Sequence, residues 1–128
     1  MVQIEKRIAE LGLKLPPAPK PVATYVPYVK VGNLLFVSGQ GPLINGKSYI
    51  TGKLGREVSE EEGYKAAEIA ALNCIAIVKE AVGDLDKVER RGSLPARRTS
   101  IGSLGSLTEP QICSLRSSEK RGSTQEAL

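Results

Sequence analysis

The sequence predicts an α+β fold, because one long apolar helix follows a group of short strands. Residues 59–83 are rich in alanine and carry helix-terminating signals at both ends. Residues 25–50 hold short β-rich segments separated by glycine-containing turns. A run of strands followed by a long helix, without regular alternation of the two, is typical of an α+β domain. We therefore expect the helix to lie on a sheet.

The long helix has a well-marked start and end. Ser59 precedes Glu62 by three residues, which is the spacing of a capping box. In a capping box the serine oxygen and the glutamate carboxylate each accept a hydrogen bond from a backbone N–H of the first turn. At the other end, Gly83 can adopt the left-handed conformation that terminates a helix.

The apolar surface of this helix is broader than a single stripe. Between Ala66 and Val78 the only polar side chains are Glu68 and Asn73, so more than one side of the helix has to be covered. The side chains that we predict to be buried against the hairpin strands are Ala71, Cys74, Ile75 and Val78.

Two segments precede the strands. Ile4, Ile8 and Leu11 fall on one helical face and Gly12 follows them, which predicts a short amphipathic helix. Residues 13–21 contain several prolines, which are incompatible with a helix interior and favour an extended spacer.

Two hairpins are predicted between these segments and the long helix. The first turn is Gly32-Asn33, which separates the β-rich residues 25–31 and 34–38. The second turn is Asn45-Gly46-Lys47. Each turn places glycine where the backbone of a tight hairpin requires a positive φ angle.

The two strands of the first hairpin have different predicted environments. Pro27 cannot donate a hydrogen bond to a neighbouring strand, so the first strand should lie at a sheet edge or be bulged. The second strand, at residues 34–38, is nearly continuous in apolar side chains and should be covered on both faces.

Composition excludes several classes of protein. A chain of 128 residues fits one domain. It has no histidine, which excludes imidazole catalysis and the common zinc sites, so no metal site is expected. Its only cysteines, Cys74 and Cys113, exclude a disulfide framework. With no signal-peptide pattern and no apolar run long enough for a membrane span, the expected location is cytoplasmic.

The composition changes after residue 90. Residues 1–90 hold 12 basic and 11 acidic side chains, whereas residues 91–128 hold 6 and 3. The second segment also has eight serines, four glycines and no aromatic residue. We therefore predict no strand after the long helix, a folded part at 1–90 and a disordered tail at 91–128. Because the excess positive charge lies in the tail, nucleic acid is not an expected partner.

Several motifs occur together in the folded part: Tyr25, the LLFVSGQGPL strand, the GKLGREVSEEEGY segment and the AALNC helix. Through them, residues from about 8 to 90 resemble the RidA (YjgF) family of reactive-intermediate deaminases, in the longer branch with the older label endoribonuclease L-PSP type. The resemblance implies a chorismate-mutase-like (RidA-type) mixed sheet with packed helices. It also implies a homotrimer with sites between subunits, and cofactor-free hydrolysis of 2-imino acids, formed from enamines, to 2-oxo acids and ammonia.

The resemblance assigns three substrate-binding residues by position. Tyr25 matches the tyrosine at the pocket wall, and Ser38 and Gly39 match the Ser-Gly pair whose backbone groups contact the ligand. The family's anchor is an arginine in a later segment ending in Arg-Ser, where a guanidinium would hold the substrate carboxylate with two hydrogen bonds. No counterpart of that segment follows Arg90, so the catalytic residues are unassigned and the domain is incomplete as written.

A shifted reading frame explains this missing segment. With suitable synonymous codons for residues 91–128, a one-base shift gives a sequence that alternates like strand, loop and helix and contains a His-Ala-Arg-Ser-Ala run. Third bases are free to vary, but the middle base of each new codon is the first base of an original codon. The amino acid fixes that base except at leucine, arginine and serine, and it largely determines whether a residue is apolar. We therefore interpret residues 91–128 as a frameshifted translation of a RidA-like gene.

Four functions stay open at this level. The first is imine hydrolysis, by this chain or by its frame-corrected form. The second is a non-catalytic trimeric protein that binds small molecules. A ribonuclease or RNA-binding protein is less favoured, because the family-like part lacks a basic stripe. The fourth is an incomplete domain without activity.

Overall fold

The structure, a computed structural model, describes residues 3–21, 23–93 and 111–115. The elements in chain order are α1 (Gln3–Glu10), β1 (Tyr28–Val31), β2 (Leu34–Val37), β3 (Leu43–Ile44), β4 (Lys47–Ser48), α2 (Glu60–Val82), a 3-10 turn (Leu85–Lys87), β5 (Val88–Ser93) and β6 (Gln111–Leu115). This order confirms the predicted α+β class.

Four of the strands form one sheet in the order β1-β2-β6-β5. All three pairings in that sheet are antiparallel, where the resemblance implied a mixed sheet. β3 and β4 form a separate antiparallel hairpin. Pro27 directly precedes β1, and β1 lies at the edge of the sheet, as the missing N–H of proline predicts.

Both predicted hairpin turns are present. β1 and β2 pair up to Val31 and Leu34, with Gly32 at a φ of 57° in the turn. In the second hairpin, Asn45 and Gly46 have φ angles of 52° and 78°, which is the pattern of a type I′ turn. The turn residues therefore determine the register of each hairpin.

Two strands follow α2, and the prediction that none would was wrong. β6 pairs with β5 on one side and with β2 on the other, so it occupies the edge of β2 that an unstructured tail would leave open. β5 lies at the sheet edge, and its sequence has little apolar alternation. Pairing with β6, rather than burial of one face, holds it in place. The remaining residues of the predicted disordered tail, 94–110 and 116–128, lie outside the described residues.

α2 has the predicted ends. The backbone N–H of Ser59 donates to the Glu62 carboxylate at 2.8 Å, and the N–H of Glu62 donates to the Ser59 hydroxyl at 3.2 Å, which completes the capping box. Gly83 has a φ of 78° and donates its N–H to the Lys79 carbonyl at 2.7 Å. The helix therefore ends where its glycine allows a positive φ.

The buried side of α2 differs from the prediction. Val78 is buried, but Ala71 is exposed, and Cys74 and Ile75 are only half-buried. The residues of α2 that are buried are Gly63, Ala66, Ala70, Asn73, Ala76, Ile77, Val78 and Val82. In the first half of the helix they follow one narrow stripe, and Ala71 lies about 100° around the helix from Ala70. Only the second half is broadly covered.

The hydrophobic core lies between β2 and the second half of α2. Its buried members are Leu35, Val37, Ile77, Val78, Val82 and Leu85. Leu35 and Val37 alternate with Phe36, whose side chain is on the opposite face and 39% exposed. β2 is therefore buried on one face only, and the prediction that both faces are covered was wrong for the single chain.

The proline-rich segment packs against this core. Leu15 and Ala18 are half-buried and contact the core cluster, as does Ile8 of α1. Residues 13–21 are thus an extended arm that covers apolar side chains, rather than the spacer predicted from their prolines.

Candidate functional site at the end of strand β2

The three site residues assigned by the resemblance lie around the end of β2. Ser38 and Gly39 follow that strand directly, and Tyr25 lies shortly before β1. Since Tyr28 pairs with Val37, the chain before β1 runs beside the chain after β2. Tyr25 is 41% exposed, whereas Ser38 and Gly39 are half-buried. The fold therefore brings the three predicted residues to one end of the sheet.

Ser38 holds these two chain segments together. Its hydroxyl donates to the carbonyl of Val26 at 2.7 Å, and its backbone N–H donates to the carbonyl of Pro27 at 3.0 Å. The hydroxyl hydrogen is used within the protein, so this side chain contributes to a site chiefly by fixing the backbone. Val26 is adjacent to Tyr25, which places the tyrosine next to this junction.

Gln40 closes the segment back on itself. Its side chain is 9% exposed, and its Nε2 donates to the carbonyl of Ser38 at 3.1 Å. Ser38 is therefore bonded through its N–H, its hydroxyl and its carbonyl. The sequence did not mark Gln40 as a site residue, because a glutamine after a strand has no distinctive pattern.

Asn73 anchors the far side of the same segment from the middle of α2. This side chain is 2% exposed, and its Nδ2 donates to the carbonyls of Gly41 at 3.1 Å and Leu43 at 2.9 Å. The Gly41 carbonyl also accepts from the N–H of Leu43 at 2.9 Å. A polar residue within an otherwise apolar helix was the sequence signal for this contact.

Gly39 lies between these anchors. Within the described part of the chain, no hydrogen bond joins its N–H or carbonyl to another residue. The residue is half-buried, so these groups lie in a partly enclosed position. An N–H and a carbonyl held this way can bind a small polar ligand in place of water.

The arginines of β5 do not lie at this end of the sheet. Arg90 pairs with Ser114, which pairs with Leu34, at the end of β2 away from Ser38. β6 separates β5 from β2, a spacing of about 10 Å across the sheet. Neither Arg90 nor Arg91 therefore occupies the place of the missing carboxylate-binding arginine.

Two classes of feature are missing from the described ranges. Residues 3–21, 23–93 and 111–115 contain no group of three or more histidine, cysteine, aspartate or glutamate side chains placed to hold a metal ion. No helix in these ranges is both long enough and apolar enough to cross a bilayer.

Comparison with known sequences extends the matched region at both ends. The family described as "YjgF/chorismate mutase-like, putative endoribonuclease" matches residues 5–98, eight residues beyond the predicted limit of 90. The chain is 40% identical over 88 residues to Protein TCP17 of Trypanosoma cruzi. That match covers 69% of this chain and 55% of TCP17, so the chain spans about half the length of this curated relative.

Solved structures agree with the fold. The protein Atu1372 of Agrobacterium tumefaciens, of unknown function, is 31% identical with a TM-score of 0.67, and the match covers 88% of this chain and 92% of that one. A "putative endoribonuclease" of Shewanella oneidensis is 27% identical with a TM-score of 0.69, covering 87% and 98%. From the family match over most of its length and this shared fold, the chain belongs to the YjgF/chorismate mutase-like family.

Proposed function

We propose that this fold hydrolyses reactive 2-imino acids and enamines to 2-oxo acids and ammonia, at a site whose first wall is the Ser38–Gly39 segment. The observation that carries the proposal is the Gly39 peptide, which is half-buried, unbonded within the described residues and fixed on both sides. Fixed backbone dipoles can orient a polar substrate and water without reorganising during the reaction.

The reaction suits a site of this kind. Water adds to the carbon of the C=N bond, and the tetrahedral carbinolamine then loses ammonia to leave a 2-oxo acid. Proton transfers to nitrogen and from water accompany these steps, and no redox change occurs. The N–H and carbonyl of Gly39 are a donor and an acceptor that can position the imine and the water. Tyr25, beside the Ser38 junction, would form the pocket wall.

The proposed site still lacks a group that binds the substrate carboxylate. The resemblance places an arginine there, and we propose that the in-frame gene supplies it from a segment that this chain replaces with residues 91–128. The family match continues through the first eight residues of this segment and stops at residue 98, so it supports a replacement only for residues 99–128. β6 fills the sheet beside β2, but its sequence QICSL contains no arginine. The 128-residue chain is therefore expected to lack turnover.

Expressing two chains tests this proposal: the 128-residue chain and a frame-corrected form. Each is mixed with an imine generated from an amino acid, and released ammonia is measured against a no-protein control. We expect acceleration by the frame-corrected chain and none by the 128-residue chain. No acceleration by the frame-corrected chain would reject imine hydrolysis. Turnover by the 128-residue chain would reject the requirement for the missing arginine.

A second candidate is a trimeric protein that binds small molecules without turnover. An exposed apolar face of the sheet supports the association of subunits in this candidate. We call it the outer face and define it by Val29, Val31, Leu34 and Phe36. The pairing of Val29 with Phe36 and of Val31 with Leu34 places all four on one side. Thermal stabilisation by pyruvate, a simple 2-oxo acid, without ammonia release from imines would favour this candidate.

A further inference from the structure

We infer that Asn73 is a positioning residue for the proposed site: it fixes the conformation of residues 39–43 through their carbonyl groups. This inference rests on the proposed function for its ligand, but the positioning itself is a property of the fold. Asn73 contacts no group of the Ser38–Gly39 pair directly. Its effect passes along the backbone from Gly41.

The segment has two fixed ends. On one side, Ser38 is tied to Val26 and Pro27 by its hydroxyl and its N–H. On the other side, Gly41 is tied to Asn73. Only two residues lie between these points, and one of them, Gln40, bonds back to the Ser38 carbonyl. The peptide groups of Gly39 therefore have little freedom as long as both ends hold.

The second end depends strongly on one side chain. The Asn73 amide donates to two carbonyls, those of Gly41 and Leu43, and it is almost completely buried. The remaining bonds of this end, from Leu43 to the Gly41 carbonyl and from Tyr49 to the Pro42 carbonyl, lie within the loop and the adjacent hairpin. Among the described residues, Asn73 thus provides the hydrogen bonds that connect the loop to α2. Replacing its amide leaves two carbonyls of half-buried residues without that donor.

The first test measures amide hydrogen exchange in the 128-residue chain, without ligand. Asn73→Leu keeps a similar volume and removes both donated bonds. Leu85→Ala is the matched control, because Leu85 lies in the core and is 3% exposed but makes no hydrogen bond to this loop. We expect the hydrogen-bonded amides of this loop and its hairpin, those of Leu43 and Tyr49, to exchange at least tenfold faster in Asn73→Leu than in the control.

The exchange rates of amides in the middle of α2 are used to correct for differences in global stability between the variants. If the loop amides accelerate no more than those of α2, or equally in both variants, Asn73 has only a general structural role and the inference is overturned. Asn73→Ala provides a second variant in case Asn73→Leu does not fold. Alanine cannot donate a hydrogen bond and buries no charge, so the same local acceleration is expected.

The second test uses whichever chain hydrolyses imines in the ammonia assay. Asn73→Leu should lower kcat/KM at least tenfold, while Leu85→Ala should leave it within about twofold at a temperature where both variants are folded. Equal losses in the two variants would overturn the inference. If neither chain hydrolyses imines, the proposed function fails, and the exchange experiment still decides whether Asn73 positions the loop.

Discussion

Two alanines of α2 have opposite surroundings. Ala66 is completely buried, whereas Ala71, also in the first half of the helix, is exposed. The sequence identified the apolar character of this helix but not which of its alanines are buried, because the helix carries alanines on several of its faces. Packing partners from other parts of the chain decide which positions of the helix are buried. One such partner is Leu54, whose side chain would collide with a Cβ added at Gly63.

This difference gives a prediction about stability. Ala66→Glu should lower the free energy of unfolding by about 3 kcal/mol or more, because it buries a charge without a partner. Ala71→Glu should change it by less than about 0.5 kcal/mol, since the side chain reaches solvent. Urea denaturation measures both. An equally large loss in the two variants would show that Ala71 is covered, as its sequence context had suggested.

The capping box makes the stability of α2 depend on pH. The backbone N–H of Ser59 and, secondly, its hydroxyl lower the pKa of Glu62 below its ordinary value of 4.5. A lowered pKa in the folded state means that Glu62 stabilises the fold above the ordinary value, and that this contribution disappears as the pH falls through the lowered pKa.

We therefore predict that Glu62→Gln removes this part of the pH dependence. The variant should be less stable than the parent at pH 7, and the difference should shrink as the pH is lowered below 4.5. Urea midpoints across this range measure the effect, with Glu10→Gln as a control in a surface ion pair. A difference that grows in acid would show that the folded state raises the pKa of Glu62 instead of lowering it.

Among the elements, those encoded by local signals are the ones that the sequence predicted. The capping box, the Asn45-Gly46 turn and the glycine after each helix act within a few residues, so they can be recognised without tertiary information. β5 and β6 depend instead on pairing with strands that are distant in sequence. Their charged or mixed composition gives no alternation from which that pairing could be predicted.

The attachment of α1 is a further non-local feature. The carboxylate of Asp86 accepts from the N–H groups of Gln3 at 2.8 Å and Ile4 at 3.2 Å, at the positive end of the helix. Lys79 of α2 forms an ion pair with Glu5 at 2.7 Å. Since none of the residues of α1 is fully buried, these polar contacts contribute much of its attachment.

Asp86→Ala should therefore release α1. The expected loss is about 1 kcal/mol in the free energy of unfolding, the typical effect of removing a helix cap. Trypsin should cleave after Lys6 and Arg7 faster than in the parent. Glu10→Ala, which removes only the exposed ion pair with Arg7, serves as the control and should leave the cleavage rate unchanged. Equal cleavage in Asp86→Ala and the parent would show that the packing of Ile8 and the Lys79–Glu5 ion pair are enough to hold the helix.

For the whole molecule, the family could be predicted from the sequence, and so could the placement of three candidate residues at one end of the sheet. Tyr25, Ser38 and Gly39 meet at the end of β2 because hairpin register is encoded locally. Asn73 reaches the same place from a distant helix, so its apolar neighbours indicate that it needs a partner but not which partner it has. The outer face is an apolar surface that the described residues leave exposed on the sheet.

The outer face provides the last prediction. Val29, Val31 and Phe36 are 49%, 59% and 39% exposed, and together they form an apolar surface of the type that promotes association. We expect the 128-residue chain to aggregate, and the frame-corrected chain to form a soluble trimer through this face. Val29→Lys with Val31→Lys should then reduce aggregation of the 128-residue chain and shift the frame-corrected chain toward monomer, measured by light scattering after gel filtration.

The control for this prediction is Leu11→Lys, which removes an apolar side chain that is 58% exposed and lies outside the outer face. It should leave the behaviour of both chains unchanged. Lysines at Val29 and Val31 that leave the mass of the frame-corrected trimer unaltered would show that its subunits associate through a different surface.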